Sequence, residues 1–274
     1  MQRLTSGELA YYQFESLQSP GLRHGIFTRL GGVSQGVYRS LNLSRSTGDA
    51  QETVAENRRR MFEAMALRPD RSVTSWLVHG RTARVIGWSD LGQNDVHADA
   101  MVTDARGLSL TLRFADCVPV LFHDPVRQTI GIAHAGWLGI ECGALPAAVR
   151  AMQAAYGCEP RHIRAGIGPS IGPHRFEVGE DVAERIQAAV GDPVILRGRG
   201  GEAEVAPAAG EERRASARPR VDLWRAAQSQ LYDAGVRQIE IAGLCTAGNT
   251  AEWFSHRAEK GRTGRFGAVI ELSE

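Results

Sequence analysis

Apolar positions in this chain come mostly in short bursts, and their period changes along its length. Residues 10–14 (Ala-Tyr-Tyr-Gln-Phe) alternate loosely, and residues 24–29 form a second short β pattern. Gly31-Gly32-Val33-Ser34-Gln35-Gly36 is loop chemistry, since glycines permit positive φ and close backbone approach. The first helical period covers 52–67, with Val54, Met61, Phe62 and Met65 on one side. Segments 75–79, 83–88, 108–114, 118–122 and 129–134 are short and apolar or alternating, and predict a meander. Asp124-Pro125 supplies a tight turn between the last two, which makes them an antiparallel hairpin. Helical spacing covers 140–156, where Pro146 marks the regular start, and 180–190, which Gly191 ends. A short strand at 163–167 runs into a Gly/Pro-rich turn. Asp222 caps a helix reaching about 234, and 238–243 and 267–272 are the last strands.

Strands cluster before helices as often as they alternate with them, which points to an α+β fold rather than a doubly wound parallel sheet. Residues 197–219 break the pattern: glycine, alanine, glutamate and arginine dominate, and the segment reads as a mobile surface loop. The stretch from 220 to 274 is too short for a core of its own, so residues 1–274 are read as one domain. Composition mainly excludes. The 43% hydrophobic and 23% charged residues fit an ordinary globular protein. With 32 basic against 31 acidic residues, there is no overall field for nucleic acid or an anionic membrane. No apolar run nears the roughly 18 residues that span a bilayer, and Glu8 and Glu15 interrupt any apolar segment near the start. A cytoplasmic setting is expected, with no membrane, nucleic-acid or obligate protein partner. Four cysteines in 274 residues make no disulfide framework. Each needs its own explanation.

Reactive side chains gather in Trp76-Leu77-Val78-His79-Gly80, Ala115-Asp116-Cys117-Val118-Pro119 and Ala133-His134-Ala135-Gly136-Trp137. If the hairpin forms, Cys117 at the start of one strand lies near His134 at the end of its partner. His79 joins them if its own strand lies alongside. Two imidazoles and a thiolate suit zinc with an open fourth position, where the pKa of bound water falls towards ~7. The same Cys117–His134 pair suits a cysteine hydrolase as nucleophile and base, and plain core packing accounts for these residues too. Asp99 and Asp116 are acid–base candidates if they face the same cleft. His24 and His256 stand among glycines, hydroxyls and arginines, whereas His97, His123, His162 and His174 read as surface groups. Cys142 and Cys158 read as helix packing or helix ends, and Cys245, at a strand end beside Thr246, as a pocket residue. Arg29, Arg257 and Arg265 lie in loops rich in glycine or hydroxyls, a setting that can hold phosphate.

Several of these segments occur together in one known family. They include His24-Gly25-Ile26-Phe27-Thr28-Arg29-Leu30-Gly31-Gly32-Val33-Ser34, Ser40-Leu41-Asn42-Leu43, Asn57-Arg58, Val78-His79-Gly80 and Ala115-Asp116-Cys117-Val118-Pro119. Gly48-Asp49, Asp99-Ala100-Met101-Val102-Thr103, His134-Ala135-Gly136-Trp137, Ile167-Gly168-Pro169, Cys245-Thr246 and Phe254-Ser255 through Thr263-Gly264-Arg265 complete the set. On these motifs the chain resembles the YfiH family, once labelled polyphenol oxidase or laccase-like and now regarded as purine nucleoside phosphorylases. The resemblance implies mixed sheets sandwiched between helices in α/β/β/α layers. It implies one zinc on His79, Cys117 and His134, and catalytic work by Asp116, Cys117 and His134. Substrate and phosphate contacts are expected from Arg29, Asn42, Cys245, Arg257 and Arg265. The implied partners are a small-molecule nucleoside and phosphate: phosphorolysis of adenosine, inosine and methylthioadenosine, with adenosine deamination beside it. A cysteine hydrolase on Cys117 and His134 and a peptidoglycan-precursor editing factor are the alternatives. Copper polyphenol oxidation is disfavoured, because the chain has eight histidines and no His-x-His pair. The chain departs from the family pattern at Leu77, usually Gln, and at Leu138 and Ala258, usually Arg. Each lost arginine removes a fixed cation and up to five donors.

Overall fold

Alternation along β9 (Thr129–Ala135) shows how the layers are built. Ile130 and Ile132 point into one apolar core and Ala133 and Ala135 into another, so His134 shares the isoleucine face. Its partner β8 (Val118–Asp124) sends Val118, Val120 and Phe122 to the alanine side and Leu121 to the isoleucine side. Every residue of both strands is buried, which is why the pair reads as two almost continuous apolar runs. Each fully buried Ile, Leu or Phe contributes roughly 1.5–3 kcal/mol.

The computed structural model describes residues 1–93, 96–197 and 218–274. The segment 197–219, expected to be a mobile loop, lies outside the described residues except at its two ends. One six-stranded sheet comprises β1 (Gln2–Ser6), β2 (Leu9–Gln13), β3 (Leu22–Phe27), β4 (Ser72–Thr74), β7 (Ser109–Phe114) and β14 (Phe266–Leu272). Its order is β1-β2-β3-β14-β7-β4. The second adds β5 (Ala83–Val85), β6 (Ala100–Thr103), β10 (Arg164–Ile167) and β13 (Gln238–Ile241), in the order β13-β10-β8-β9-β6-β5. Both sheets are mixed, since β4–β7, β5–β6 and β10–β13 pair in parallel and the other pairs are antiparallel. β11 (Ile195–Leu196) and β12 (Arg220–Val221) form a small ribbon.

The sheets face each other across a core that includes Phe14, Ile26, Leu112, Phe114, Leu121, Ile132 and Phe266. Helix α1 (Gln51–Ala64) covers the outer side of the first sheet through Met61 and Phe62 against Phe27 and Val269. Helices α2 (Trp137–Cys142), α3 (Ala144–Tyr156), α4 (Glu180–Val190) and α5 (Leu223–Asp233) cover the outer side of the second. These are the α/β/β/α layers of an α+β fold. No helix among the described residues is long and apolar enough to cross a membrane.

Three local expectations are corrected. The middle segments are not one meander: β7 belongs to the first sheet and β8 to the second, so Ala115-Asp116-Cys117 carries the chain from sheet to sheet. Asp116 makes that turn at φ 87°, a conformation that periodicity cannot foretell. Residues 75–79 are not a strand, since β4 ends at Thr74 and His79 has φ 55°. The 140–156 helix is two helices that meet at Gly143, whose φ of 79° ends α2 and begins α3.

Candidate active site

The hairpin forms at the predicted turn. Asp124 Oδ1 accepts from the N–H groups of Val126 (2.8 Å) and Arg127 (3.0 Å), which closes the loop. The resulting register pairs Val118 with Ala135 and Pro119 with His134, so Cys117 enters beside the end of β9. Gly136 permits this approach: a Cβ there would sit 3.0 Å from Cys117 Sγ and 4.0 Å from His134 Cε1. His79 arrives from the loop after β4. Its ring meets that of His134 edge-on, with centroids 5.1 Å apart. On its other side His134 stacks with Phe114 at 5.5 Å.

Asp99 fixes this arrangement. Fully buried, its Oδ1 accepts from the N–H groups of Val78 (3.1 Å) and His79 (2.7 Å), and its Oδ2 from that of Gly80 (2.9 Å). Its carbonyl accepts from the His134 N–H at 2.7 Å. One residue therefore sets both histidines, by turning its carboxylate towards backbone donors and away from acid–base duty.

His79, Cys117 and His134 open onto one cavity of about 320 Å³, which Trp76, Leu77, Phe114, His256, Arg113 and Arg265 also line. Burial pushes the Cys117 thiol up to about 12, the charge of Asp116 adding to it against Arg265. Burial, with the charge of His79, pushes His134 down to about 3. Thiol and imidazole are thus both neutral at pH 7. His134 Nδ1 is buried without a hydrogen-bond partner, a cost of roughly 1–3 kcal/mol that a ligand would relieve. Two imidazoles, one of them with an orphaned ring nitrogen, and a thiol on one cavity match a metal ion in donor chemistry. As they stand, no three His, Cys, Asp or Glu side chains among the described residues are gathered tightly enough to hold one.

The other expected site residues divide sharply. Asp116 does not line the cavity, although its neighbours Ala115 and Cys117 do, and both its carboxylate oxygens are engaged: Oδ1 accepts from Thr246 Oγ1 (2.6 Å) and Oδ2 from the Arg257 N–H (2.7 Å). Arg265 lines the cavity and donates to the carbonyls of Thr263 and Gly264. Buried Asn42 shapes the wall at one remove, since its Oδ1 accepts from the Ser44 and Arg265 N–H groups. Arg29, Arg257 and Cys245 are not among the lining residues. Arg29 donates to the carbonyls of Arg39, Thr250 and Trp253 and to Glu259, and Arg257 to the Glu177 carbonyl. Cys245 Sγ accepts from the N–H groups of Gly172 (3.1 Å) and Gly248 (3.2 Å). His256 does reach the cavity, whereas His24 is a core group whose Nε2 accepts from the Phe14 N–H. His123, expected at the surface, is 1% exposed, because β8 turns it onto the face it shares with Leu121. Phe114 and Arg113 line the cavity although no motif marked them. The signal for Arg113 is its place as the one charged residue of an otherwise uncharged and buried strand.

Comparison with known proteins fits this geometry. Residues 23–273 match the family described as multi-copper polyphenol oxidoreductase laccase. The fold matches the crystal structure of hypothetical protein YfiH from Bacillus licheniformis, with TM-score 0.85, 29% identity and 98% of each chain covered. This chain belongs to the YfiH family. Relatives at comparable distance include a protein of Pseudomonas aeruginosa named purine nucleoside phosphorylase, 34% identical over 92% of this chain and 94% of that one. One of Deinococcus radiodurans with the same name is 35% identical over 93% and 92%. The family description is a copper one, but among the eight histidines here only His79, His134 and His256 line the cavity.

Proposed function

We propose that this YfiH-family chain is a zinc-dependent purine nucleoside phosphorylase acting on adenosine, inosine and methylthioadenosine, with adenosine deamination as a second activity. The observation that carries it is the convergence of His79, Cys117 and His134 on one cavity that also presents aromatic rings and arginines. The names of the relatives support the reaction class. A space of about 320 Å³ falls within the range of small-molecule sites. Trp76, half-exposed, offers a flat apolar face to a purine. Arg265 and Arg113 supply fixed cations beside them for phosphate. Phosphate attacks the anomeric carbon as the N-glycosidic bond breaks, leaving the sugar 1-phosphate and the free base. The chain's part is to hold both reactants in line and away from bulk water.

His79, Cys117 and His134 are the residues that would hold zinc. When bound, the ion supplies Lewis acidity and favours the thiolate of Cys117. Asp99 orients the two histidines. Asp116 is assigned a positioning role, because its carboxylate ties the 246 and 257 loops to the sheet crossover. A cysteine hydrolase would need a thiolate–imidazolium pair, which the neutral Cys117 and His134 disfavour. Chelation against alkylation separates the two. Phosphate-dependent release of adenine that a chelator stops and added zinc restores is the expected result. Turnover that survives chelation but stops on thiol alkylation, with no metal bound, would establish the hydrolase instead.

A further inference from the structure

Beside the cavity, on the outer face of the first sheet, lies a smaller recess of about 100 Å³. At about 30 Å³ per water, it has room for roughly three waters, the scale of an oxyanion rather than a nucleoside. Three arginines converge on it from separate elements: Arg45 from the loop before α1, Arg58 from α1 and Arg113 from β7. The hydroxyls of Ser44, Ser46 and Thr74 complete its polar wall, and no carboxylate lines it among the described residues. Ser44, Ser46, Trp76 and Arg113 line the larger cavity as well, so the two spaces share a wall.

Among the described residues, the arginines lack the ion-pair partners such groups normally have. Arg113 donates to Thr74 Oγ1 (3.2 Å) and the Ser75 carbonyl (2.8 Å), which leaves three of its five donors over among the described residues. Arg58 lies 5.9 Å from the Phe62 ring centroid, and no ion pair neutralises its charge among the described residues. Burial, then the charges of Arg113 and Arg45, push Arg58 down to about 10, and burial and Arg45 push Arg113 down as well. Three like charges held together in a partly dry recess oppose folding unless something compensates them. A tetrahedral anion would do so, accepting from guanidinium forks and hydroxyls together.

We infer that the Arg45–Arg58–Arg113 recess is a phosphate-binding subsite opening towards the nucleoside cavity. The inference deepens the phosphorylase proposal and rests on it only for the identity of the anion. The phosphate is either the free anion or an ester carried on the nucleoside, and the test distinguishes the two.

The test is calorimetric titration of inorganic phosphate into the wild-type protein, Arg45→Ala, Arg58→Lys and Arg58→Gln/Arg113→Gln, with circular dichroism as the check on folding. The double variant is expected to lose more than about tenfold in phosphate affinity, and Arg45→Ala about threefold. Arg58→Lys, which keeps the charge, should fall between wild type and the double variant. Arg45 is exposed, so Arg45→Ala keeps the test decisive if the double variant misfolds. Unimpaired phosphate binding with saturating adenosine identifies the free anion. Adenosine 5′-phosphate that binds over about tenfold tighter than adenosine, only with the arginines intact, identifies the ester. Equal phosphate affinity across all four proteins, or none in the wild type, overturns the subsite. Two results separate this subsite from the activity. Phosphate bound through these arginines without any base release leaves the subsite and removes phosphorolysis. Phosphorolysis with an unchanged phosphate KM in the variants does the reverse.

Discussion

Arg29 and Arg113 are both partly buried arginines, and they are put to opposite uses. Arg29 sits in a glycine-rich loop of the kind that holds phosphate, yet its guanidinium is filled by three carbonyls and Glu259 and lies 4.3 Å over the Phe254 ring. Arg113 sits in a regular strand and keeps most of its donors for the recess. Arg257 resembles Arg29, with the Glu177 carbonyl and the Phe176 ring. Arg58 resembles Arg113. A guanidinium among loop carbonyls closes the loop, whereas one on a rigid element, facing other cations, is left over for a ligand.

Breaking that contrast should give the largest effect at Arg29. Arg29→Met removes the donors to three carbonyls and an ion pair, and should cost about 2–4 kcal/mol in urea unfolding with phosphate affinity unchanged in the folded fraction. A drop in phosphate affinity with little loss of stability would make Arg29 a ligand after all. The histidines repeat the contrast, since His24 and His123 are closed into the core while His79 and His134 face the cavity. Burial holds both His24 and His123 down to about 4, so below pH 6.5 the unfolded chain takes up protons that the folded one refuses. Stability should therefore fall by about 2 kcal/mol or more as pH drops from 6.5 to 4, and His24→Leu should flatten part of that slope. A flat profile across this window would show the histidines to be accessible. Smaller still is Arg113→Gln, expected to raise the phosphate KM about tenfold with the nucleoside KM held within about twofold. A matched rise in both would mean that Arg113 shapes the common wall instead of binding phosphate.

How much could be read in advance depends on how local each signal is. The β8–β9 hairpin was legible because its turn chemistry and two apolar runs are contiguous, and it alone places Cys117 beside His134. Helix α4 and the Asp222 cap, whose Oδ1 accepts from the Arg225 N–H, were legible for the same reason. His79 was not placed by spacing, because a buried carboxylate twenty residues away, Asp99, holds its loop. The sheet-to-sheet step at Asp116 was hidden too, since the strands on either side have the same period whichever sheet they join. The arginine recess was illegible for a third reason. Arg45, Arg58 and Arg113 come from a loop, a helix and a strand that only the folded layers bring together.

Metal content and turnover, measured side by side on wild type and His79→Ala, decide whether His79, Cys117 and His134 form the zinc site of a phosphorylase. The expected result is one zinc per wild-type chain and phosphate-dependent release of adenine from adenosine. Both should be lost in the variant, with folding unchanged by circular dichroism. A wild-type protein that holds no metal and releases no base with or without phosphate would contradict the zinc-dependent reading, as would a variant that turns over adenosine at the wild-type rate.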